Sequence, residues 1–279
     1  MAGRQSIQEV RSGPVRANLN EVTEAAFFDL DKTIIAKSST LAFTKPLFRA
    51  GLLSRRTLAK AGIAQAYYQV FGADHDQLER VKDELSALTA GWGRDEIVAM
   101  VEETVSEIVP PLVFAEALAI IENHRGKGRR IIVVSSSPEE IVRPLCRYLA
   151  IDEVIATRAA VGEDGRYTGD IELYAYGPGK AEAMAELAER DGIDLSASYA
   201  YSDSATDIPM LQLVGHPVAV NPDSQLEAYA REKGWQIRKF DSPVSLRDRI
   251  NESRFQGAAV AGGFAALVAY WALKGKRSR

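Results

Sequence analysis

The sequence predicts an α/β protein built on a doubly wound parallel sheet, and three observations carry that prediction. Short runs rich in Val, Ile, Phe and Ala alternate along the chain with longer stretches of helical periodicity. The runs are apolar on both faces, as strands covered by helices on both sides must be. Each of the best runs also empties into acidic or hydroxyl residues, at the sheet end where such folds hold ligands. With 279 residues, 46% of them hydrophobic and 26% charged, the chain can bury the core of one large domain or two smaller ones.

Residues 1–24 form a loose polar lead-in without the apolar core of a signal peptide. Residues 25–30 read as a central strand that closes at Asp29-Leu30-Asp31-Lys32-Thr33. Two carboxylates on alternate residues at a buried strand end are costly unless a cation or a reacting group uses them. A polar turn with Thr33 capping a helix explains them equally well when they are taken alone. No convincing strand follows over residues 38–109. Leu78, Val81, Leu85 and Leu88 recur at helical spacing, as do Ile97, Val101, Val105 and Ile108, with Gly91-Trp92-Gly93 between and Pro110-Pro111 after. Leu47-Phe48 and the aromatic cluster at Tyr67 and Tyr68 suggest two more helices, whose rings suit core packing better than ligand contact.

A helix through residues 116–122 ends at Gly126-Lys127-Gly128, and Arg130-Ile131-Ile132-Val133-Val134 is the clearest strand. It opens into Ser135-Ser136-Ser137-Pro138, a strand-to-helix turn that either caps a helix or cradles a phosphate. Residues 153–157 form a further strand, and Asp164-Gly165 signals a hairpin. Gly177-Pro178-Gly179-Lys180 opens a helix whose apolar side carries Met184, Leu187 and Ala188. A cation there opposes the helix dipole, so Lys180 is either a surface lysine or one that meets an anion. Residues 198–201 end in Ser202-Asp203-Ser204-Ala205-Thr206-Asp207, and residues 217–220 and 235–237 supply the last strands around a helix at 227–233. Asp29, Asp31, Ser135 and Asp203 thus all fall at strand ends that a parallel sheet brings to one cleft.

Composition excludes several function classes. A net charge of −4 and a pI near 5.6 give no attraction to nucleic acid. The lone Cys146 cannot form an intrachain disulfide and suits a reducing cytosol as a buried small hydrophobe. His75, His124 and His216 lack the spacing of a zinc site.

With Asp29-Leu30-Asp31-Lys32-Thr33, the Ser135 turn, Lys180, and Asp203 with Asp207 in this order, the chain resembles the haloacid dehalogenase superfamily, and within it the phosphoserine-phosphatase-like branch (subfamily IB). The resemblance covers roughly residues 25–240. It implies a Rossmann-like core from residues 25–37 and 110–245, with residues 38–109 as a helical cap between the first and second motifs. It also implies chemistry suited to an anionic ester, in which positioning and charge neutralisation do most of the work. Asp29 would be the nucleophile that forms an aspartyl-phosphate, and Asp31 the acid and then the base. Mg2+ would be held by the Asp29 carboxylate, the Asp31 carbonyl and the Asp203 carboxylate. Lys180 would neutralise the phosphate, Thr33, Ser135 and the Ser136 N–H would bind its oxygens, and Asp207 would orient Lys180 or a metal-bound water. Departures bear on substrate: Ser38 stands where the phosphoserine phosphatases place a glutamate, Ser135-Ser136-Ser137 replaces Ser-Gly-Gly, and Thr206 replaces Asn. The phosphate machinery is kept without the readout of an amino acid, so a substrate other than phosphoserine is expected.

Residues 255–273 carry one strongly polar side chain, Gln256, and precede Lys274-Gly275-Lys276-Arg277-Ser278-Arg279. About 17–20 apolar residues with Tyr270-Trp271 near the end can span a bilayer, although the basic end would then violate the positive-inside tendency. A helix lying in the interface avoids that conflict, and a helix packed on protein is the alternative. The expectation is an enzyme at the cytoplasmic face of the membrane acting on a lipid phosphate or glycerol-phosphate. The rivals are a soluble phosphatase for a small metabolite and a non-catalytic regulatory relative.

Overall fold

A computed structural model describes the chain at residues 23–49, 51, 89–151 and 153–241. Seven strands run β1 Ala25–Phe28, β2 Arg130–Pro138, β3 Glu153–Val161, β4 Tyr167–Leu173, β5 Tyr199–Ser202, β6 His216–Val220 and β7 Gln236–Arg238. They form one sheet in the order β4-β3-β2-β1-β5-β6-β7. All pairs are parallel except β3 with β4, so the doubly wound parallel sheet that the sequence predicts carries one antiparallel edge. The cause is the Asp164-Gly165 hairpin: a tight turn can only return the chain antiparallel, and Gly165 takes a positive φ of 75° there.

β1 lies at the centre and its four residues are fully buried. Successive side chains alternate between two apolar layers. Ala25 and Phe27 join Ile132, Val134, Ala200 and Ala219 under Met184 of helix Pro178–Asp191 and Leu226 of helix Ser224–Lys233. Ala26 and Phe28 join Ile131, Val133 and Tyr201 under Ile121 of helix Ala115–Gly126 and Leu145 of helix Glu139–Tyr148. Burial on both faces is what reads in the sequence as unbroken apolar runs. Cys146 is fully buried, and burial pushes its thiol well above the usual range, as befits a packing residue rather than a nucleophile.

Of the interval 38–109, the two ends are described. Ser38 caps the short helix Ser39–Ala42, which leads into helix Thr44–Arg49. Helix Arg94–Ile108 buries Ile97, Val101 and Val105, at the predicted spacing, in the same apolar layer as Phe28. The return segment before it is stitched to the hairpin by backbone bonds: the Gly91 N–H donates to the Tyr167 carbonyl at 2.9 Å, the Tyr167 N–H to the Trp92 carbonyl at 3.0 Å, and the Arg94 N–H to the Gly165 carbonyl at 3.1 Å. The predicted helix through Leu78 to Leu88, the aromatic cluster at Tyr67 and Tyr68, His75, the lead-in before Thr23 and the apolar stretch 255–273 lie outside the described residues. Among the described residues, no helix is long and apolar enough to cross a membrane.

His124 is buried under the sheet with Nε2 2.8 Å from the Tyr201 hydroxyl and Nδ1 3.4 Å from Arg129 Nη1. Arginine can only donate, so Nδ1 accepts and the Nε2–H donates to Tyr201. Burial, reinforced by Arg129, holds the ring's pKa down to about 4. An unfolded chain protonates this ring near pH 6.5 and the folded one only near 4, so stability is lost as pH falls through that window. Urea denaturation at pH 7 and pH 4.5 will show wild type losing on the order of 1–2 kcal/mol more than His124→Gln.

Candidate active site

The ends of β1, β2 and β5 are neighbours, because Phe28 pairs with Val133 on one side and Tyr201 on the other. Asp29 follows β1 directly, and its N–H donates to the Tyr201 carbonyl at 2.9 Å. The chain then wraps around the Leu30 carbonyl, which accepts from the N–H groups of Ile34 and Ile35 at 2.9 and 3.1 Å. Lys32, at the tip, sits at a positive φ of 61°.

Lys180 reaches the same point from the first turn of its helix. Its backbone path needs glycine, since a Cβ at Gly179 would lie 2.3 Å from the Tyr174 carbonyl oxygen. Lys180 Nζ donates to Asp29 Oδ1 at 2.6 Å and to Asp207 Oδ2 at 2.7 Å, and all three side chains are buried. The Ser202 hydroxyl donates to the same Asp207 oxygen at 2.7 Å. The anion that a helix-start lysine invites is therefore present in the protein itself. Burial opposes the charge on Lys180, but Asp29 and Asp207 outweigh it and hold the ammonium well above the usual range. One ammonium cannot compensate two carboxylates. Burial, with Asp207 and Asp203 adding to it, pushes Asp29 up to about 8 against the pull of Lys180. Burial likewise pushes Asp203 up to about 7, although Lys32 Nζ lies 3.9 Å from its Oδ2.

Asp31 points into a different set of partners. Its Oδ1 accepts the Ser39 N–H at 2.7 Å and its Oδ2 accepts the Ser137 hydroxyl at 3.0 Å. Ser135 is buried and its Oγ accepts the Ser137 N–H at 3.2 Å, while Ser136 is exposed at the mouth. Thr33 Oγ1 is buried without a hydrogen-bond partner. Ser39, Ser137 and Ser202 were not among the predicted site residues. Ser137 stood inside the second motif and Ser202 beside the fourth, but what each bonds depends on strand order rather than on local pattern.

Among the described residues, no three His, Cys, Asp or Glu side chains are arranged to hold a metal by themselves. The donor set of two carboxylates, Asp29 and Asp203, with the Asp31 carbonyl does fit a hard cation that keeps several waters. Burial is the chief cause of the raised pKa values of both carboxylates, so their charged forms are costly there unless a cation compensates them. A cavity of about 500 Å³ among Tyr199, His216, Tyr229 and Trp235 lies at the opposite, amino-terminal end of the strands, away from this chemistry.

Comparison with known proteins points the same way as the geometry. A probable phosphatase of Mycobacterium tuberculosis H37Rv is 54% identical over 226 residues, covering 81% of this chain and 78% of its own. The "Inhibition of morphological differentiation protein" of Streptomyces azureus is 51% identical over 81% of this chain and 82% of its own. A histidinol-phosphatase of Neisseria meningitidis is 36% identical over 77% of this chain and 98% of its own. A solved phosphoserine phosphatase, captured as an analogue of its phospho-aspartyl intermediate, shares the fold with a TM-score of 0.56 at 20% identity, over 83% of this chain and 99% of that one. Residues 26–212 match the family model itself, and the chain belongs to the haloacid dehalogenase-like hydrolases.

Proposed function

We propose that the chain is a Mg2+-dependent phosphomonoester hydrolase working through an aspartyl-phosphate on Asp29. The observation that carries this reading is the buried bridge from Asp29 through Lys180 to Asp207, set beside Asp31 at the end of the central strand. Lys180 binds a phosphoryl oxygen, aided by Thr33, Ser135 and the Ser136 N–H, and offsets the repulsion between two anions. The Asp29 carboxylate attacks phosphorus, the bond to the leaving oxygen breaks, and Asp31 gives that oxygen its proton. Asp31 then takes a proton from the water that attacks the acyl phosphate, releasing inorganic phosphate and restoring Asp29. Asp207 and Ser202 keep Lys180 aimed. Asp29, Asp203 and the Asp31 carbonyl would hold Mg2+, which when bound supplies further neutralisation of phosphoryl charge.

Residues 38–109 act in this reading as the cap that meets the rest of the substrate. Ser38 spends its hydroxyl on the Leu41 N–H, so nothing acidic stands there to meet an amino-acid ammonium. Leu41, 65% exposed and two residues past the Asp31 contact at Ser39, gives the start of this segment an open apolar side chain. With the apolar stretch 255–273, this favours a lipid phosphate or glycerol-phosphate met at the cytoplasmic membrane face. A second reading, a small soluble phosphate ester, draws support from the histidinol-phosphatase relative. The intact charged set argues against a non-catalytic relative.

The test is phosphate release from 4-nitrophenyl phosphate with Mg2+ or with EDTA, then a screen over phosphoserine, histidinol phosphate, glycerol 3-phosphate and lysophosphatidic acid in detergent. Chelation should cost about 10²-fold or more, and acid quenching should trap hydroxylamine-labile phosphate on the protein. Absence of both overturns the proposal.

A further inference from the structure

We infer that Ser137 is a positioning residue for the acid–base step, holding the Asp31 carboxylate in place and tying it to the first turn of the insertion. The inference rests on the phosphatase reading and deepens it.

The Ser137 hydroxyl is the meeting point of three groups. It lies 3.0 Å from Asp31 Oδ2, 2.9 Å from Ser39 Oγ and 3.1 Å from Thr40 Oγ1, and its own N–H is 3.2 Å from Ser135 Oγ. The hydroxyl has one proton. With that proton on Asp31 Oδ2, both of its lone pairs are free to accept from Ser39 and Thr40, so three hydroxyls line up toward one carboxylate. The other oxygen, Oδ1, accepts the Ser39 N–H at 2.7 Å. Asp31 is therefore gripped on both oxygens, by the end of β2 on one side and by helix Ser39–Ala42 on the other. The amide N–H and the Ser137 hydroxyl both donate, so each carboxyl oxygen keeps its partner whether Asp31 is ionised or carries the proton meant for the leaving oxygen. Ser137 is buried, at 5% exposure, next to the last residue of β2, where a glycine would leave Oδ2 ungripped.

A general acid must stay aligned with the leaving oxygen, and misplacement by about 1 Å can cost about 10²-fold. The demand depends on the ester: a good leaving group departs as an anion, whereas a poor one needs the proton. Ser137→Ala should therefore slow the first phosphoryl transfer selectively. Across substituted phenyl phosphates, kcat/KM, which reports that transfer alone, should stay within about threefold of wild type for 2,4-dinitrophenyl phosphate and fall about 10²-fold for phenyl phosphate, while the water-activating step slows alike for every ester. Ser137→Thr, which keeps the hydroxyl, should recover most of the loss on phenyl phosphate. If Ser137→Ala does not fold, Ser39→Ala, which removes one donor to Ser137 but keeps the amide on Oδ1, should show the same ester dependence at about tenfold. A loss in kcat/KM equal for all esters, or none, overturns the positioning role while leaving the phosphatase reading intact. A wild-type protein that turns over no ester overturns both.

Discussion

Asp29→Asn will abolish phosphate release, by about 10⁴-fold or more, and at the same time make the metal-free protein more stable at pH 8. The first effect follows from chemistry: an amide is no nucleophile toward phosphorus, and the two-step route closes with it. The second follows from the charge balance around Lys180. In wild type one buried ammonium faces Asp29 and Asp207 together, both within 2.7 Å. The surplus charge appears as the Asp29 pKa, raised from 3.8 to about 8 chiefly by burial. A raised folded-state value means stability that is complete below the unfolded pKa and is lost as pH rises through the folded one. Metal-free wild type therefore weakens between pH 4 and pH 8, and the variant does not follow it. Asparagine still accepts from Lys180 and leaves a neutral pair with Asp207, for a gain on the order of 1–2 kcal/mol at pH 8. Urea titration in EDTA at pH 5 and pH 8 measures the difference. A variant weaker than wild type at pH 8 contradicts the charge argument, and one that keeps turning over substrate contradicts the nucleophile.

Lys180→Met will also abolish turnover but will destabilise. Methionine fills much of the same volume, so the cavity is small and the charge dominates. Its loss leaves the Asp29 and Asp207 carboxylates buried without their cation, and Ser202 supplies one hydroxyl in compensation. Breaking a buried pair by removing one partner costs about 3–5 kcal/mol, which in a protein of this size lowers Tm by roughly 6–20 °C. Turnover should fall about 10³-fold or more, since in the proposed mechanism the same ammonium binds the phosphoryl group. Calorimetry beside a phosphatase assay reads both. Two inactive variants that move in opposite directions in stability separate the chemistry of the site from the cost of assembling it.

The strand ends that build the site were legible because a parallel sheet imposes them. Ala25–Phe28 has to be buried on both faces, so the acidic residues after it have to emerge at the carboxyl edge. Lys180 was legible as a cation in an unfavourable place, which needed an anion without naming it. That the anion is a pair of carboxylates, one after β1 and one after β5, depends on helix Pro178–Asp191 lying over their junction. No local pattern encodes that placement. Ser137 was hidden for the same reason: a third serine in a row gains its role only when Ser39, far away in sequence, folds against it. The antiparallel edge of β4 was legible in the Asp164-Gly165 hairpin signal.

The stitching of residues Gly91 and Trp92 to Tyr167 has a consequence for how such an enzyme diversifies. The insertion leaves the core beside Asp31, through Ser39, and re-enters it along the outer side of β4, where backbone bonds occupy part of an otherwise open sheet edge. Entry and exit are thus both fastened to the scaffold, one by side chains and the other by main chain. Sequence between these two anchors can be rewritten without touching Asp29, Lys180 or Asp203. On the proposed reading the molecule is a socket for exchangeable substrate readers, with the reaction kept constant beneath them.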